Sequence, residues 1–208
     1  MSAVISLWCV AAFVAVAVIA AGIGRAALGS MLVYAFSGVT ALAALGAAGW
    51  HLASQADAVS TALPLGLPGI GARIRIDTLS AFFLIVINLG ASVTCLYGMG
   101  YVRHEHSPLR VVPFIPLYLA GMNLVIIADD AFTFLIAWEF MSLTSWALVM
   151  AHHEAPDNAR AGATYLIMAS FGTLSLLLAF GLLAGAEGGY AFEVIRANHP
   201  APVTAALV

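Results

Sequence analysis

Six apolar runs, each about as long as a membrane is thick, constrain what this chain can fold into. A helix rises 1.5 Å per residue, so roughly 20 apolar residues cross a hydrocarbon core of about 30 Å. The chain is 63% hydrophobic and only 8% charged, whereas soluble domains carry about 25% charged residues. We therefore predict an all-α, polytopic transmembrane helix bundle that forms a single domain over residues 1–208. The predicted spans are about 3–23, 27–52, 78–102, 112–128, 131–151 and 162–184.

The few polar residue types narrow the function further. The net charge is −3, so no basic surface suggests a nucleic-acid partner. All the cationic residues are arginines, and the sequence contains no lysine. Cys9 and Cys95 lie inside apolar runs, which favours small buried side chains over a disulfide or a metal pair.

A short hairpin is predicted at about residues 63–77, between the second and third spans. Its glycines and prolines indicate turns, and Arg73 to Asp77 alternates polar and apolar side chains as a strand does. Asp77 or Thr78 then serves as the N-cap of the third helix.

The arginines predict the orientation, because cytoplasmic loops are enriched in cationic residues. We place the N-terminus outside and the loops 24–26, 103–111 and 152–161 in the cytoplasm. These loops hold four of the seven cationic residues: Arg25, Arg103, Arg110 and Arg160. The other face holds Arg73, Arg75 and Arg196 with most of the acids.

Glu139 stands alone in the middle of the fifth span. Asp130 and His152 are about 13 and 20 Å away along the helix, so Glu139 lies near the bilayer midplane. An ionised carboxylate there costs on the order of 2.5–3.5 kcal/mol, so Glu139 is either protonated at rest or paired with a group elsewhere. The functional interpretation is a proton-binding station, and the structural alternative is a neutral acid that forms one interhelical hydrogen bond.

Polar residues near Glu139 are candidates for a proton path. Ser142 and Trp146 follow it at helical spacing on the same side of the span. Each of the others taken singly is more often a packing contact between helices: Asn88, Asn123, Ser170, Thr173 and Ser175.

Histidines in the predicted cytoplasmic loops could pass protons to the membrane, because histidine titrates near neutral pH. They are His104, His106, His152 and His153. Their spacing is not that of a helical zinc pair, so we expect no metal site. No phosphate-binding or dinucleotide-binding glycine motif is present, and we expect no cofactor in this chain.

Three segments carry a resemblance to a known family: "RIDTLSAFFLIVINLGASVTCLYGMGYVRHE", "FTFLIAWEFMSLTSWALV" and "ARAGATYLIMASFGTLSLLLAFGLL". Over about residues 75–185 the chain resembles the first six helices of antiporter-like membrane subunits. Such subunits occur in respiratory complex I, multi-subunit cation/proton antiporters and membrane-bound hydrogenases. The sequence of these segments is most similar to the hydrogenase-4 component B group, also called formate hydrogenlyase subunit 3.

The resemblance implies that Glu139 is the family's glutamate on helix five, which pairs with a lysine on a broken helix seven. That lysine would lie beyond Val208, so we expect the chain to be the N-terminal part of a longer, inverted-repeat protein. The resemblance also places the hairpin on the outer face. Several relatives carry an acid on helix six about where Thr173 falls, so their full charge network is not implied here.

Three functional hypotheses follow. The first is a proton-translocating subunit of a hydrogenase, formate hydrogenlyase or complex I-like complex in the bacterial inner membrane. Its partners would be other membrane subunits and peripheral Ni-Fe and Fe-S redox subunits, which do the chemistry. The second is a subunit of a multi-subunit Na⁺/H⁺ antiporter, and the third is a non-transporting anchor or scaffold.

Overall fold

A computed structural model describes residues 2–67, 71–104, 107–154, 156–185 and 189–197 of the chain. Six of the helices are long and apolar enough to cross a membrane, which confirms the predicted fold class. The elements are α1 (Ser2–Ile23), α2 (Ala27–Ala53), β1 (Val59–Leu67), β2 (Gly71–Ile76), α3 (Thr78–Tyr101), α4 (Phe114–Ile127), α5 (Ala131–Val149), α6 (Pro156–Ala184) and α7 (Phe192–Ala197). Short 3₁₀ turns are formed by Val102–His104, Pro108–Arg110 and Met150–His152.

The first four helices form a closed ring. Helix α1 packs against α2 and α4, and α3 packs against α2 and α4. Helix α5 lies on the outside of α4, and α6 packs chiefly against α5. The bundle is therefore a ring of four helices with two more added in a row at one side.

Two glycines allow neighbouring helices to approach closely. A Cβ built on Gly98 of α3 would overlap the Tyr34 ring of α2, and one on Gly121 of α4 would lie 2.9 Å from the Cα of Met141 in α5. Small residues at helix crossings are the usual means of close packing in membranes, where no hydrophobic force drives helices together. These two contacts fix α2 against α3 and α4 against α5.

The hairpin covers one end of the ring. Strands β1 and β2 pair antiparallel, with Val59 opposite Ile76 and Ser60 opposite Arg75. Ile74 and Ile76 point into the bundle and are fully buried with Leu84 of α3. The alternation from Arg73 to Asp77 therefore does mark a strand with one buried face.

The turn between α4 and α5 joins the hairpin to the segment after α6. The Asp129 N–H donates to the Arg73 carbonyl at 2.8 Å, and the Arg73 N–H donates to the Asp130 carboxylate at 2.8 Å. On the other side, the Phe192 N–H donates to the Asp129 carbonyl at 3.1 Å. This end of the molecule is thus one continuous hydrogen-bonded layer.

Three boundaries differ from the sequence prediction. The hairpin begins at Val59 instead of about 63, because Ser60 is held by the Asp129 carboxylate at 2.9 Å, a contact that no local pattern shows. Helix α6 begins at Pro156 instead of 162, because a helix that leaves the bilayer continues into water with polar residues. Residues 156–161 are therefore helical and not loop. Helix α4 itself is 14 residues long, and the turn Pro108–Arg110 completes that span.

Cys9 and Cys95 are both buried and unpaired with each other. This agrees with their interpretation as small apolar side chains.

Candidate functional site

Helix α5 positions the central carboxylate. The helix begins after Asp130, whose Oδ1 accepts the Thr133 backbone N–H at 2.7 Å. This N-cap satisfies one of the free N–H groups of the first turn and fixes where the helix starts. Glu139 follows in the third turn and is half-buried.

Glu139 lies in a groove between α5 and α6, which we call the Glu139 groove. Its volume is about 450 Å³. Only Glu139 and Thr173 among its lining residues have polar side chains, and they come from the two opposite helices. The lining residues are Phe132, Leu135, Ile136, Glu139, Phe140, Leu143, Thr173 and Leu177.

The groove offers the carboxylate little to stabilise a negative charge. No arginine lines it, and the sequence has no lysine. The Thr173 hydroxyl donates to the Ala169 carbonyl of its own helix at 3.2 Å. Among its lining residues the groove therefore holds no cation that could pair with Glu139.

The other predicted residues on α5 divide between two sides of the helix. Ser142 is 5% exposed and does not line the groove. The groove is centred on the side of α5 that carries Ile136, Phe140 and Leu143. Ser142, three residues after Glu139, lies beyond this side. Trp146 does face α6, because a Cβ on Gly162 would lie 3.5 Å from its Nε1.

Ser170 lies on α6 but away from the Glu139 groove. It is exposed and lines a separate depression with Leu166, Ile167, Phe171 and Leu174. Thr173 and Ser170 are three residues apart, yet only Thr173 faces α5. Ser175 is exposed and donates to the Phe171 carbonyl at 2.9 Å.

Asn88 and Asn123 pair with each other inside the ring, between α3 and α4. The Asn88 Nδ2 donates to the Asn123 Oδ1 at 2.7 Å, and both side chains are buried. Each amide also donates to the carbonyl four residues earlier in its own helix. The pair lies on the side of α4 away from the groove residues that α6 contributes.

The predicted histidines that the structure describes lie in the turns that follow α3 and α5. His152 and His153 are exposed, and the His153 Nδ1 is 3.2 Å from the Met150 carbonyl oxygen. His152 is about 20 Å from Glu139 along the helix. His104 ends the turn after α3, its side chain is not described, and His106 lies outside the described residues.

An aromatic cluster at the end of the groove nearest the hairpin was not predicted. Phe134 of α5 contacts Phe180 of α6 and Phe192 of α7, with ring centroids 5.8 and 6.1 Å apart. Phe132, which lines the groove, contacts Tyr190 in a tilted arrangement with ring centroids 4.6 Å apart. Aromatic residues spaced along three separate segments give no local signal that they meet.

No group of three His, Cys, Asp or Glu side chains within the described ranges could hold one metal ion. The groove has one carboxylate and one hydroxyl, which is too few ligands for a bound transition metal. The arrangement is a single carboxylate in a groove whose other lining side chains, Thr173 excepted, are apolar.

The fold and the groove define a multi-pass membrane protein with a carboxylate at mid-membrane. Residues 128–206 match a family model described as "NADH:quinone oxidoreductase/Mrp antiporter, TM". Over this part the chain is similar to antiporter-like membrane subunits, and its relatives include hydrogenase-4 and NADH-quinone oxidoreductase components.

Three similar curated sequences illustrate the range of relatives. An uncharacterized protein of Mycobacterium tuberculosis is 36% identical over 131 residues, covering 63% of this chain and 20% of that protein. Hydrogenase-4 component B of Escherichia coli is 32% identical over 137 residues, covering 65% and 20%. NADH-quinone oxidoreductase subunit L of Mycobacterium tuberculosis is 27% identical over 149 residues, covering 72% and 24%. The chain spans about a fifth of the length of these relatives.

Two solved structures share the fold. A chain of the membrane-bound sulfane sulfur reductase, an archaeal respiratory membrane complex, superposes with a TM-score of 0.72 at 20% identity, covering 95% of this chain and 42% of that one. A chain of the Mrp complex from Dietzia sp. DQ12-45-1b superposes with a TM-score of 0.73 at 20% identity, covering 97% and 22%.

Proposed function

We propose that this chain belongs to a proton-translocating membrane subunit of a hydrogenase, formate hydrogenlyase or complex I-like oxidoreductase complex. Glu139 would be its intramembrane proton site. The observation that carries the proposal is the position of Glu139. It is half-buried in an apolar groove between two helices, where the only other polar side chain among the lining residues is Thr173.

The setting of the carboxylate suits alternation between two protonation states. Burial between apolar helices and the approach of a positive charge or water act in opposite directions on a carboxyl group. A change in these surroundings would let Glu139 take up a proton on one side of the membrane and release it on the other. A cationic partner, as the resemblance implies, must come from outside the described residues, because none of them supplies one to the groove.

The partners and the location belong to the same proposal. Similar proteins include subunits of an NADH-quinone oxidoreductase and of a respiratory membrane complex, so the redox chemistry would occur in other subunits. We place the protein in the bacterial inner membrane with its N-terminus outside. The exposed His152 and His153 then lie on the cytoplasmic side, where they could supply protons from water.

A second candidate function rests on the likeness to an Mrp complex chain, with a TM-score of 0.73. In that case Glu139 would serve cation/proton exchange without redox partners. A sodium gradient would then support proton movement in vesicles that lack any electron donor.

The deciding experiment replaces Glu139 with glutamine in the complete complex, reconstituted in sealed vesicles. Glutamine keeps the size and hydrogen-bonding capacity of a protonated glutamate but cannot release a proton. We expect proton uptake, followed with a pH-sensitive dye, to fall by at least tenfold per redox turnover.

The matched control is Glu193→Gln on α7. Glu193 is an exposed carboxylate outside the membrane spans, and its replacement makes the same chemical change. It should leave proton movement unchanged. Wild-type proton movement in Glu139→Gln would instead favour the third hypothesis, a non-transporting anchor or scaffold.

A further inference from the structure

A second pocket lies at the end of the bundle opposite the hairpin. Its volume is about 380 Å³, and it is lined by Arg25, Ser107, Pro108, Leu109 and Arg110. Arg25 belongs to the turn between α1 and α2, and the other lining residues belong to the turn before α4. We call this the arginine pocket.

The walls of the pocket are held in place by packing. A Cβ on the buried Gly24 would lie 3.3 Å from the Cδ2 of Leu109, so the two turns touch directly. The Ser30 hydroxyl donates to the Gly24 carbonyl at 2.8 Å and fixes the first turn. The Arg110 backbone N–H donates to the Ser107 carbonyl at 2.9 Å and fixes the second.

The described residues neutralise only part of the charge in the pocket, because Arg110 pairs with Glu154 and Arg25 does not pair with any of them. Arg110 uses its Nη1 for the Glu154 carboxylate at 3.0 Å and for the Ala151 carbonyl at 3.5 Å. A guanidinium carries five N–H donors, so Arg110 retains donors for a further anion. No described carboxylate lines the pocket.

The position of the pocket selects the kind of anion. Arg25 comes two residues after the end of α1, where a membrane-spanning helix reaches the lipid headgroups. Arginine is suited to phosphate, because its planar fork donates two parallel hydrogen bonds to two oxygens. Two arginines from two turns line this pocket, and phosphate is an anion that a guanidinium binds with two parallel hydrogen bonds.

We propose that the arginine pocket binds a phosphate group at the membrane surface. The two sources of that group are the headgroup of an anionic phospholipid and inorganic phosphate. In either case the bound anion bridges the α1–α2 turn to the turn before α4. It thereby joins the two turns on the side of the ring opposite the hairpin.

The test measures binding of phosphatidylglycerol to the protein purified with its partner subunits in mild detergent. Native mass spectrometry counts the lipids retained, and phosphatidylcholine serves as the reference lipid. We expect selective retention of phosphatidylglycerol by the wild type. Arg25→Gln should weaken it about fivefold, the effect of one arginine near an anionic membrane surface.

Three further variants separate the pocket from general charge effects. Arg103→Gln removes a cation from the same end of the bundle, but Arg103 is exposed, contacts Met31 and does not line the pocket. It should leave binding unchanged. Arg110→Gln should weaken binding, whereas Glu154→Gln breaks the same ion pair but keeps the arginine, and should not weaken it.

Inorganic phosphate distinguishes the two sources. If phosphate displaces phosphatidylglycerol from the wild type while chloride at the same ionic strength does not, the pocket recognises the phosphate group itself. If phosphatidylglycerol binds and phosphate does not compete, the pocket is a lipid site. The proposal fails if Arg25→Gln and Arg110→Gln both bind like the wild type, or if Arg103→Gln is weakened equally.

Discussion

Asn88 and Asn123 exchange hydrogen bonds between α3 and α4, with Nδ2–Oδ1 distances of 2.7 and 3.4 Å in the two directions. The two residues are 0% and 2% exposed. Their amides form the polar contact that sets α3 against α4 and closes the ring of four helices. Because the pair satisfies itself, it behaves as a structural contact between helices, the role that isolated membrane amides usually have.

Replacing one asparagine of this pair should lower the free energy of unfolding by more than half of the loss caused by replacing both. Asn88→Leu leaves the Asn123 Oδ1 buried without its 2.7 Å donor, and an unsatisfied buried group costs about 1–3 kcal/mol. The double variant Asn88→Leu/Asn123→Leu removes both polar groups together. We expect a double-mutant cycle on thermal unfolding in detergent to give a coupling energy of about 1 kcal/mol. Strict additivity would show that the two amides do not stabilise each other.

Gly121 should tolerate no side chain. Even alanine would place its Cβ 2.9 Å from the Met141 Cα and force α4 away from α5. Overpacking of this kind costs about 1–3 kcal/mol, so Gly121→Ala should lower the melting temperature. Gly90→Ala on α3 is the matched control, because nothing lies within 4 Å of its added Cβ. That change should be neutral or stabilising, since alanine favours a helix. Equal melting temperatures for the two variants would contradict the close approach of α4 and α5.

Asp77 makes the start of α3 sensitive to acid. Its Oδ1 accepts hydrogen bonds from the Ser80 N–H and hydroxyl, both at 2.9 Å. Burial alone raises the pKa of Asp77, but the Ser80 hydrogen bonds and the Arg75 charge outweigh it and hold the pKa below its ordinary value. A carboxyl with a lowered pKa in the fold contributes stability above the unfolded value, about 3.9, and loses it as the pH falls through the folded value.

Thermal unfolding between pH 6 and pH 3 should therefore separate two variants. Asp77→Asn keeps a capping side chain and should flatten this part of the acid loss. Asp77→Ala removes the cap and should cost about 1 kcal/mol near neutral pH, and less as the Asp77 of the wild type becomes protonated. An unchanged acid profile in Asp77→Asn would assign the acid sensitivity to other carboxylates.

Thr173 and Ser170 should differ in their effect on proton movement, although both are hydroxyl residues on α6. Thr173 lines the Glu139 groove, whereas Ser170 lines a separate depression. Thr173→Val keeps the shape and removes the oxygen, and we expect it to slow coupled proton movement severalfold in vesicles. Ser170→Ala should be silent. Equal effects of the two variants would show that a hydroxyl on α6 need not face α5 to take part in proton movement.

Local signals in the sequence predicted the parts of the fold that depend on neighbours along the chain. The length of the apolar runs predicted six helices, and the alternation at Arg73–Asp77 predicted a strand followed by a cap. Asp77 fills that role through Ser80, three residues on. The start of β1 at Val59 depends on Asp129, which is 69 residues from Ser60, and no local pattern encodes such a contact.

The site divides in the same way. A glutamate in the middle of an apolar run is visible from the sequence alone. The free-energy cost of placing an ionised carboxylate there follows from the same pattern. That Thr173 and not Ser170 shares its groove depends on which side of α6 meets α5, and that side is set by packing and by the aromatic contacts of Phe134. A helix that is apolar on all sides gives no periodic signal to indicate its buried face.

The arrangement of four helices in a ring and two in a row has a mechanical consequence. Movement of α1, α2, α3 or α4 would break contacts on two sides at once, whereas α6 meets the rest of the described bundle chiefly through α5. The junction between α5 and α6 is therefore a place where two helices can separate without opening the ring. Glu139 lies in that junction, so a separation of a few ångströms between two helices would change the wetting of the carboxylate while the ring stays intact.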